Sequence, residues 1–268
     1  MTRIGVGIDI GGSGVKGALV DLDAGEFIGD RIRIPTPTPA TPEAVAETCR
    51  EIVIALDAPK DAPVGIAMPA PMRHGVVSFM ANLDQAWVDM DTIALFESYL
   101  DRPVVVLNDA DAAGVAEAAF GAAKDIDGTV IVTTLGTGIG SALIHDGVLV
   151  PNTELGHVEL NGRDAESHAA ASQRTKYNLD WDEWGKRLND YYRHLEMLFT
   201  PERFVVGGGV SKHHENFLDK IQLEGTEIVP AEMRNAAGIV GAAVYADQEQ
   251  AKKSKKAKKA KAKKSKDN

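Results

Sequence analysis

The chain has 268 residues, 44% hydrophobic and 25% charged, enough to bury a substantial core in one large domain or two modest lobes. One cysteine, Cys49, excludes an internal disulfide and any multi-cysteine metal site, and no apolar run nears the ~18 residues of a membrane span. The net charge of −10 divides unevenly: residues 252–268 hold ten lysines and a single acid, Asp267, which leaves the remainder at −19 and argues against a nucleic-acid-binding core.

Strand and helix patterns alternate, as in an α/β architecture. Ile4, Val6, Ile8 and Ile10 alternate with small or polar residues, the pattern of a strand with one covered face. Because this strand starts directly after Met1-Thr2-Arg3, no secretory signal is expected, and the reading is cytoplasmic. Two more strands are predicted at 17–22 and 26–34, then an extended proline-rich loop at 35–39. A helix follows, with Thr41 as N-cap, Pro42 in its first turn and a buried stripe of Val45, Cys49, Ile52, Val53 and Leu56. Cys49 is therefore expected in the core and not as a nucleophile. The short apolar runs at 64–68 and 104–107 read as buried central strands.

Residues 129–135 and 140–146 read as a hairpin. A long amphipathic helix is predicted over 182–199, with Trp184, Leu188, Tyr191, Leu195 and Leu198 on its buried side. After it come a strand at 203–207, a helix from Ser211, a strand near 226–229 and a last helix from Ala236 into the lysine tail. The tail has no apolar side chain larger than alanine, so 251–268 is expected to be disordered. It is either simply solvated or an electrostatic tether for a polyanion.

Three glycine-rich turns follow strands. The first contains Asp9, Gly11, Gly12, Ser13, Gly14 and Lys16; the second, Gly136, Thr137, Gly138 and Gly140; the third, Gly207, Gly208, Gly209 and Ser211. Glycines let backbone N–H groups converge on an anion, while Ser13, Lys16, Thr137 and Ser211 add donors. Asp9 can orient a hydrated Mg2+. None of the turns has the P-loop or dinucleotide spacing. Asn108-Asp109 sits at the carboxyl end of a predicted strand, where α/β sheets place ligands, and a carboxylate there can take a proton from an attacking hydroxyl. Asp109 can equally cap the following helix, and Asp111 reads as a structural first-turn acid. Glu154, His157 and Glu166 suit a polyhydroxyl substrate, and Asn82 is a candidate sugar amide.

These residues resemble the ROK family (repressors, open reading frames and kinases) of the two-lobed actin-like, hexokinase-like ATPase fold. The segments carrying the resemblance are DIGGSGVKGALVD at 9–21, NLDQAW at 82–87, LNDADAAG at 107–114, TLGTGIGSALI at 134–144, ELGH at 154–157 and VVGGGVS at 205–211. The resemblance implies a small lobe over 1–108, completed by a helix at about 236–250, a large lobe over 109–235, and a hexose in the cleft. It makes Asp109 the general base for transfer to a 6-hydroxyl. Ala70 (through its backbone), Asn82, Asn108, Glu154, His157 and Glu166 would surround the sugar. The first two glycine turns would go to donor phosphates and the third to the nucleoside or its equivalent, with Mg2+ assisting.

Many relatives bind zinc through this histidine and a cysteine cluster, but the segment ELNGRDAESHAA has no cysteine, so no zinc is expected. Only eight residues precede Asp9, against the DNA-binding segment of the repressor members, so no nucleic-acid partner is expected either. Within the family, residues 162–217 look most like the actinobacterial polyphosphate glucokinases, including those that also use ATP and accept mannose. The implied reactants are glucose, with mannose as a second acceptor, and polyphosphate or ATP as donor; an ATP-only hexose kinase and a non-catalytic sugar sensor are the alternatives. The resemblance also implies a homodimer. Lys16, Arg174, Lys176, Lys186, Arg187 and Lys212 form either an anion track or ordinary solvated helix faces.

Overall fold

The computed structural model describes residues 2–81 and 83–264, with side chains through 256. It divides into two units, Met1–Leu107 with Ala242–Asn268, and Asn108–Gly241.

The first unit contains β1 (Ile4–Gly11), β2 (Gly14–Asp21), β3 (Glu26–Ile34), α1 (Pro42–Ala55), β4 (Val64–Met68), β5 (Met72–Arg73), β6 (Val76–Val77), α2 (Thr92–Leu100) and β7 (Val104–Asn108). Its sheet has the order β3-β2-β1-β4-β7. β1 and β2 form an antiparallel hairpin closing on Gly11 and Gly14, while β4 runs parallel to β1 with Val6 opposite Val64. The α1 stripe packs as its spacing predicts: Thr41 Oγ1 accepts from the Ala44 N–H, and Val45, Cys49, Ile52 and Val53 join the core of Val6, Ile8 and Ile66. Burial lifts the Cys49 thiol far above its ordinary range, so it stays protonated and inert.

The last helix, α7, begins in the second unit. At Gly65 an added Cβ would fall 1.9 Å from the Ala242 carbonyl oxygen, so only glycine lets the helix backbone lie this close to β4. Contrary to the expected disorder, helix continues to Lys264, since alanine and lysine are both strong helix formers. Residues 265–268 lie outside the described residues.

The second unit contains α3 (Asp109–Phe120), β8 (Thr129–Leu135), β9 (Ile139–His145), β10 (Val148–Val150), β11 (Glu159–Leu160), β12 (Arg163–Asp164), α4 (Glu166–Ala169), α5 (Ala171–Lys176), α6 (Trp181–Phe199), β13 (Arg203–Gly207), β14 (Glu227–Pro230) and the start of α7 (Ala237–Lys264). Its sheet order is β10-β9-β8-β13-β14, with β13 parallel to both neighbours. α6 opens with a capping box between Asp180 and Glu183 and closes on a left-handed Thr200 before Pro201. Trp184, Leu188, Tyr191, Tyr192 and Leu195 are fully buried, and Tyr192 Oη meets Thr133 Oγ1 at 2.6 Å.

Two expectations fail here. Leu198 is 51% exposed, because the seam advances four residues from Leu195 and places Phe199 against the core instead. No α-helix starts at Ser211; the chain makes 3-10 turns at Ser211–Asn216 and Leu218–Lys220. His213 leaves helical dihedrals, and the fully buried Phe217 stacks on Trp181 and meets Trp184 edge-on, which holds the segment down against α6.

Candidate active site

The second unit builds its site around the start of α3. Asn108, buried, is the N-cap: its Oδ1 accepts from the Ala110 and Asp111 N–H groups, leaving only the side-chain NH2 to donate elsewhere. Asp109 follows as the first helical residue, exposed, with Oδ1 accepting from the Ala110 N–H at 2.8 Å. The helix dipole favours a carboxylate there. Asp111, two positions on, turns the other way and is 1% exposed. Its Oδ2 accepts from the Asn152 N–H at 2.8 Å, while Oδ1 finds no partner among the described residues. Burial, reinforced by the charges of Glu154 and Asp109, pushes its carboxyl up to about 7.

The loop carrying Glu154 and His157 is pinned at both ends. Asp111 holds Asn152; Ser141, from the second glycine turn, donates to the Thr153 carbonyl at 2.6 Å and accepts from the Leu155 N–H at 2.9 Å. Desolvation raises the Glu154 carboxyl, and the Glu166 charge adds to it, against the pull of His157. His157 is raised chiefly by Asp164, whose Oδ2 lies 2.7 Å from Nδ1, with Glu166 and Glu154 contributing. Asp164 was missed from the sequence. It is returned to His157 by the hairpin of β11 and β12, whose two-residue turn is Asn161-Gly162, both at positive φ. That Asn-Gly pair was the available signal.

Glu166 does not stand free. Its Oε2 accepts from the Ile139 N–H at 2.7 Å, and a Cβ on Gly138 would fall 2.2 Å from the same oxygen. Gly138 is thus required for the carboxylate to close on the second glycine turn. That turn is also tied to α5: Ser172 donates its N–H to the Gly136 carbonyl at 3.0 Å and its hydroxyl to the Thr137 carbonyl at 2.6 Å. In the third turn, Gly207 ends β13, and Ser211 donates its N–H and hydroxyl to the Gly208 carbonyl, fixing Gly209 in the bend between them. Since a 3-10 segment follows, this turn lacks the α-helical N-terminus that its sequence suggested.

In the first unit, Asp9, two residues before the end of β1, lies opposite Lys16 on β2, with Oδ2 and Nζ 3.3 Å apart. Gly12 and Ser13 form the tip between Gly11 and Gly14. Arg33, opposite Lys16 on β3, donates to the Ser13 carbonyl at 2.8 Å and lies over Gly14, a cation at this turn that the sequence patterns do not reveal. Ala70 is buried and its N–H is spent on the Met68 carbonyl, leaving its own carbonyl as the backbone group on offer. Asn82 lies outside the described residues. Among the described residues, no group of three or more histidines, cysteines, aspartates or glutamates is arranged to hold a metal ion, and no helix is long and apolar enough to cross a membrane.

A carboxylate at a helix start, a pinned Glu–His loop and glycine turns at strand ends are the parts the motifs pointed to. The ROK family model matches residues 5–175. The chain belongs to the ROK family. A polyphosphate glucokinase of Mycobacterium tuberculosis is 44% identical over 243 residues, spanning 90% of this chain and 91% of that relative. The crystal structure of an inorganic polyphosphate/ATP-glucomannokinase from Arthrobacter sp. strain KM superposes with a TM-score of 0.85 at 52% identity, covering 92% of this chain and 99% of the other. A ROK family glucokinase from Streptomyces griseus, solved with glucose and AMPPNP, gives 0.77 at 25% identity over 91% and 99%. The fold is the two-lobed actin-like ATPase fold of the ROK sugar kinases.

Proposed function

We propose that this ROK member is a hexokinase that transfers a phosphoryl group from inorganic polyphosphate, ATP or both to the 6-hydroxyl of glucose, with mannose as a second acceptor. The observation that carries the reading is Asp109: an exposed carboxylate at the start of α3, whose charge, like that of Glu154, reaches the buried Asp111. Asp109 accepts the hydroxyl proton as that oxygen bonds to phosphorus and the bond from phosphorus to the donor oxygen breaks. Glu154 accepts hydrogen bonds from neighbouring hydroxyls. His157, raised by Asp164 and so protonated more readily than an ordinary imidazole, donates from Nε2 to a hydroxyl oxygen. Glu166 acts more through the second glycine turn than through the sugar, since it already holds the Ile139 N–H.

The glycine turns are assigned to the donor, with Ser13, Lys16, Thr137 and Ser211 as added hydrogen-bond donors. The first unit is taken as the small lobe and the second as the large one. One carboxylate paired with a lysine fits a hydrated Mg2+ held through water and completed by donor phosphates, which would neutralise the charge that builds on the transferred group. A cytoplasmic homodimer belongs to the same reading, on the family likeness and the single buried thiol.

The test is glucose phosphorylation with Mg2+, using purified polyphosphate or ATP as sole donor. Product from both is the expected result. Product from ATP alone would make the chain an ATP-only hexose kinase, and product from neither would overturn the assignment.

A further inference from the structure

The second unit carries 21 aspartates and glutamates against 11 lysines and arginines, so cations lacking a carboxylate are conspicuous there. Arg193, Arg203 and Lys220 each pair with an acid. Among the described residues the other eight form no ion pair, and four of them, Arg163, Arg174, Lys176 and Arg187, fall in one patch built by β12, α5 and α6.

Arg174 lays its guanidinium 3.6 Å above the Trp181 ring, and its Nε is buried without a hydrogen-bond partner. Lys176 and Arg187 face the exposed Tyr177 ring at 5.2 and 5.7 Å. Arg187 also donates to the His168 carbonyl at 3.0 Å, and Arg163 lies 3.4 Å from His168 Nδ1. His168 registers the resulting field: burial, then Arg187 and Arg163, hold its imidazole below the ordinary range, against a weaker pull from Asp190. Asp180 and Glu183 are engaged in the α6 cap, Asp182 with Lys220 and Asp164 with His157, which leaves Asp190 as the acid that reaches His168.

Aromatic stacking holds a guanidinium in place without neutralising it, so the N–H edges remain free for an anion. The patch also touches two of the turns assigned to the donor. Ser172 ties α5 to the second, and His213, just past the third, sets its ring 5.9 Å from Trp181. A compact anion would need one or two of these cations; a cluster of four suits a chain that carries charge at every unit. We propose that Arg163, Arg174, Lys176 and Arg187 form a distal subsite for a phosphate chain, gripping polyphosphate units beyond those held by the glycine turns. The inference rests on the reading of polyphosphate as donor.

The experiment uses the full chain and two variants, Lys176→Gln with Arg187→Gln, and Arg174→Lys, which keeps the charge but loses the planar stack. Kinetics are run with long polyphosphate, tripolyphosphate and ATP, and binding of long polyphosphate is titrated across a salt series. For the double variant, the kcat/KM for long chains should fall on the order of tenfold per cation removed, relative to tripolyphosphate and ATP in the same protein. The log–log salt dependence of binding should become shallower by about 0.7 for each phosphate no longer neutralised, as for other flexible polyanions. Arg174→Lys should show the same selectivity to a smaller degree.

An equal fall with all three donors would overturn the subsite, and so would unchanged affinity for long chains. If the wild type binds polyphosphate without using it, the donor reading fails while the binding comparison still decides the subsite. If the wild type does not bind polyphosphate, both fall.

Discussion

Asp111→Asn isolates the cost of a buried acid beside the proposed general base. Burial raises the Asp111 carboxyl from 3.8 to about 7, so the folded protein holds this proton more tightly than the unfolded chain does. A raised carboxyl has a definite sign: its burden on the fold is absent below about pH 4, grows from there to pH 7 and is complete above it. At about 1.4 kcal/mol per pH unit, roughly three units amount to about 4 kcal/mol. Asparagine keeps an oxygen for the Asn152 N–H but puts an NH2 where Oδ1 has no partner among the described residues, at a cost of about 1–3 kcal/mol. The variant should therefore be less stable than wild type at pH 4, near parity around pH 5, and more stable by ~1–3 kcal/mol at pH 8. Urea midpoints measured at half-unit steps, with unchanged slope, give the difference. A constant folding defect cannot imitate a difference that varies with pH. A flat difference between pH 4 and 8 would refute the burial cost assigned to Asp111.

Asp109→Asn should lower kcat by about 10²–10⁴ while glucose affinity, read by calorimetry, stays within a few-fold; parallel loss of both would assign Asp109 to folding or binding. Gly138→Ala should push Glu166 off the Ile139 N–H, with kcat/KM falling about tenfold and the melting temperature dropping; wild-type kinetics would show that the turn tolerates the Cβ. Glu117 is 1% exposed and accepts from the N–H groups of Ala122, Glu232 and Met233, so Glu117→Ala should cost roughly 3 kcal/mol in chemical denaturation without a selective effect on glucose KM. Asp164→Asn removes the main cause of the raised His157 value, so the imidazole midpoint followed by NMR should move down; no movement would mean that the carboxylate does not control it.

How much of this was legible depended on the range of the interaction. The hairpin of β1 and β2, the α1 stripe, the amphipathic face of α6 and the glycine turns are local patterns, and each forms close to where the residues indicate. The 3-10 segment after Ser211 was not legible, because Phe217 is drawn against Trp181 and Trp184 by packing with residues some thirty positions away in sequence. Separation in sequence also hid Arg33, 20 residues from Ser13 at the first turn, and Glu117, 116 residues from Met233. Asp164 is the intermediate case: its partner lies seven residues away, but only the Asn161-Gly162 turn tells which residue of β12 returns to His157.

Asp109 and Asp111 carry the lesson furthest. Residues two apart on a helix point about 200° away from each other, so both acids cannot face the same site. Helical geometry alone thus separates a candidate base from a structural acid. Which of the two meets solvent follows from the alanine-rich face of α3, where Ala112, Val115 and Ala116 are buried with Asp111. What the geometry of a single helix cannot supply is the partner of the buried acid, the Asn152 N–H, and with it the reason that the Glu154 loop is held against the start of α3.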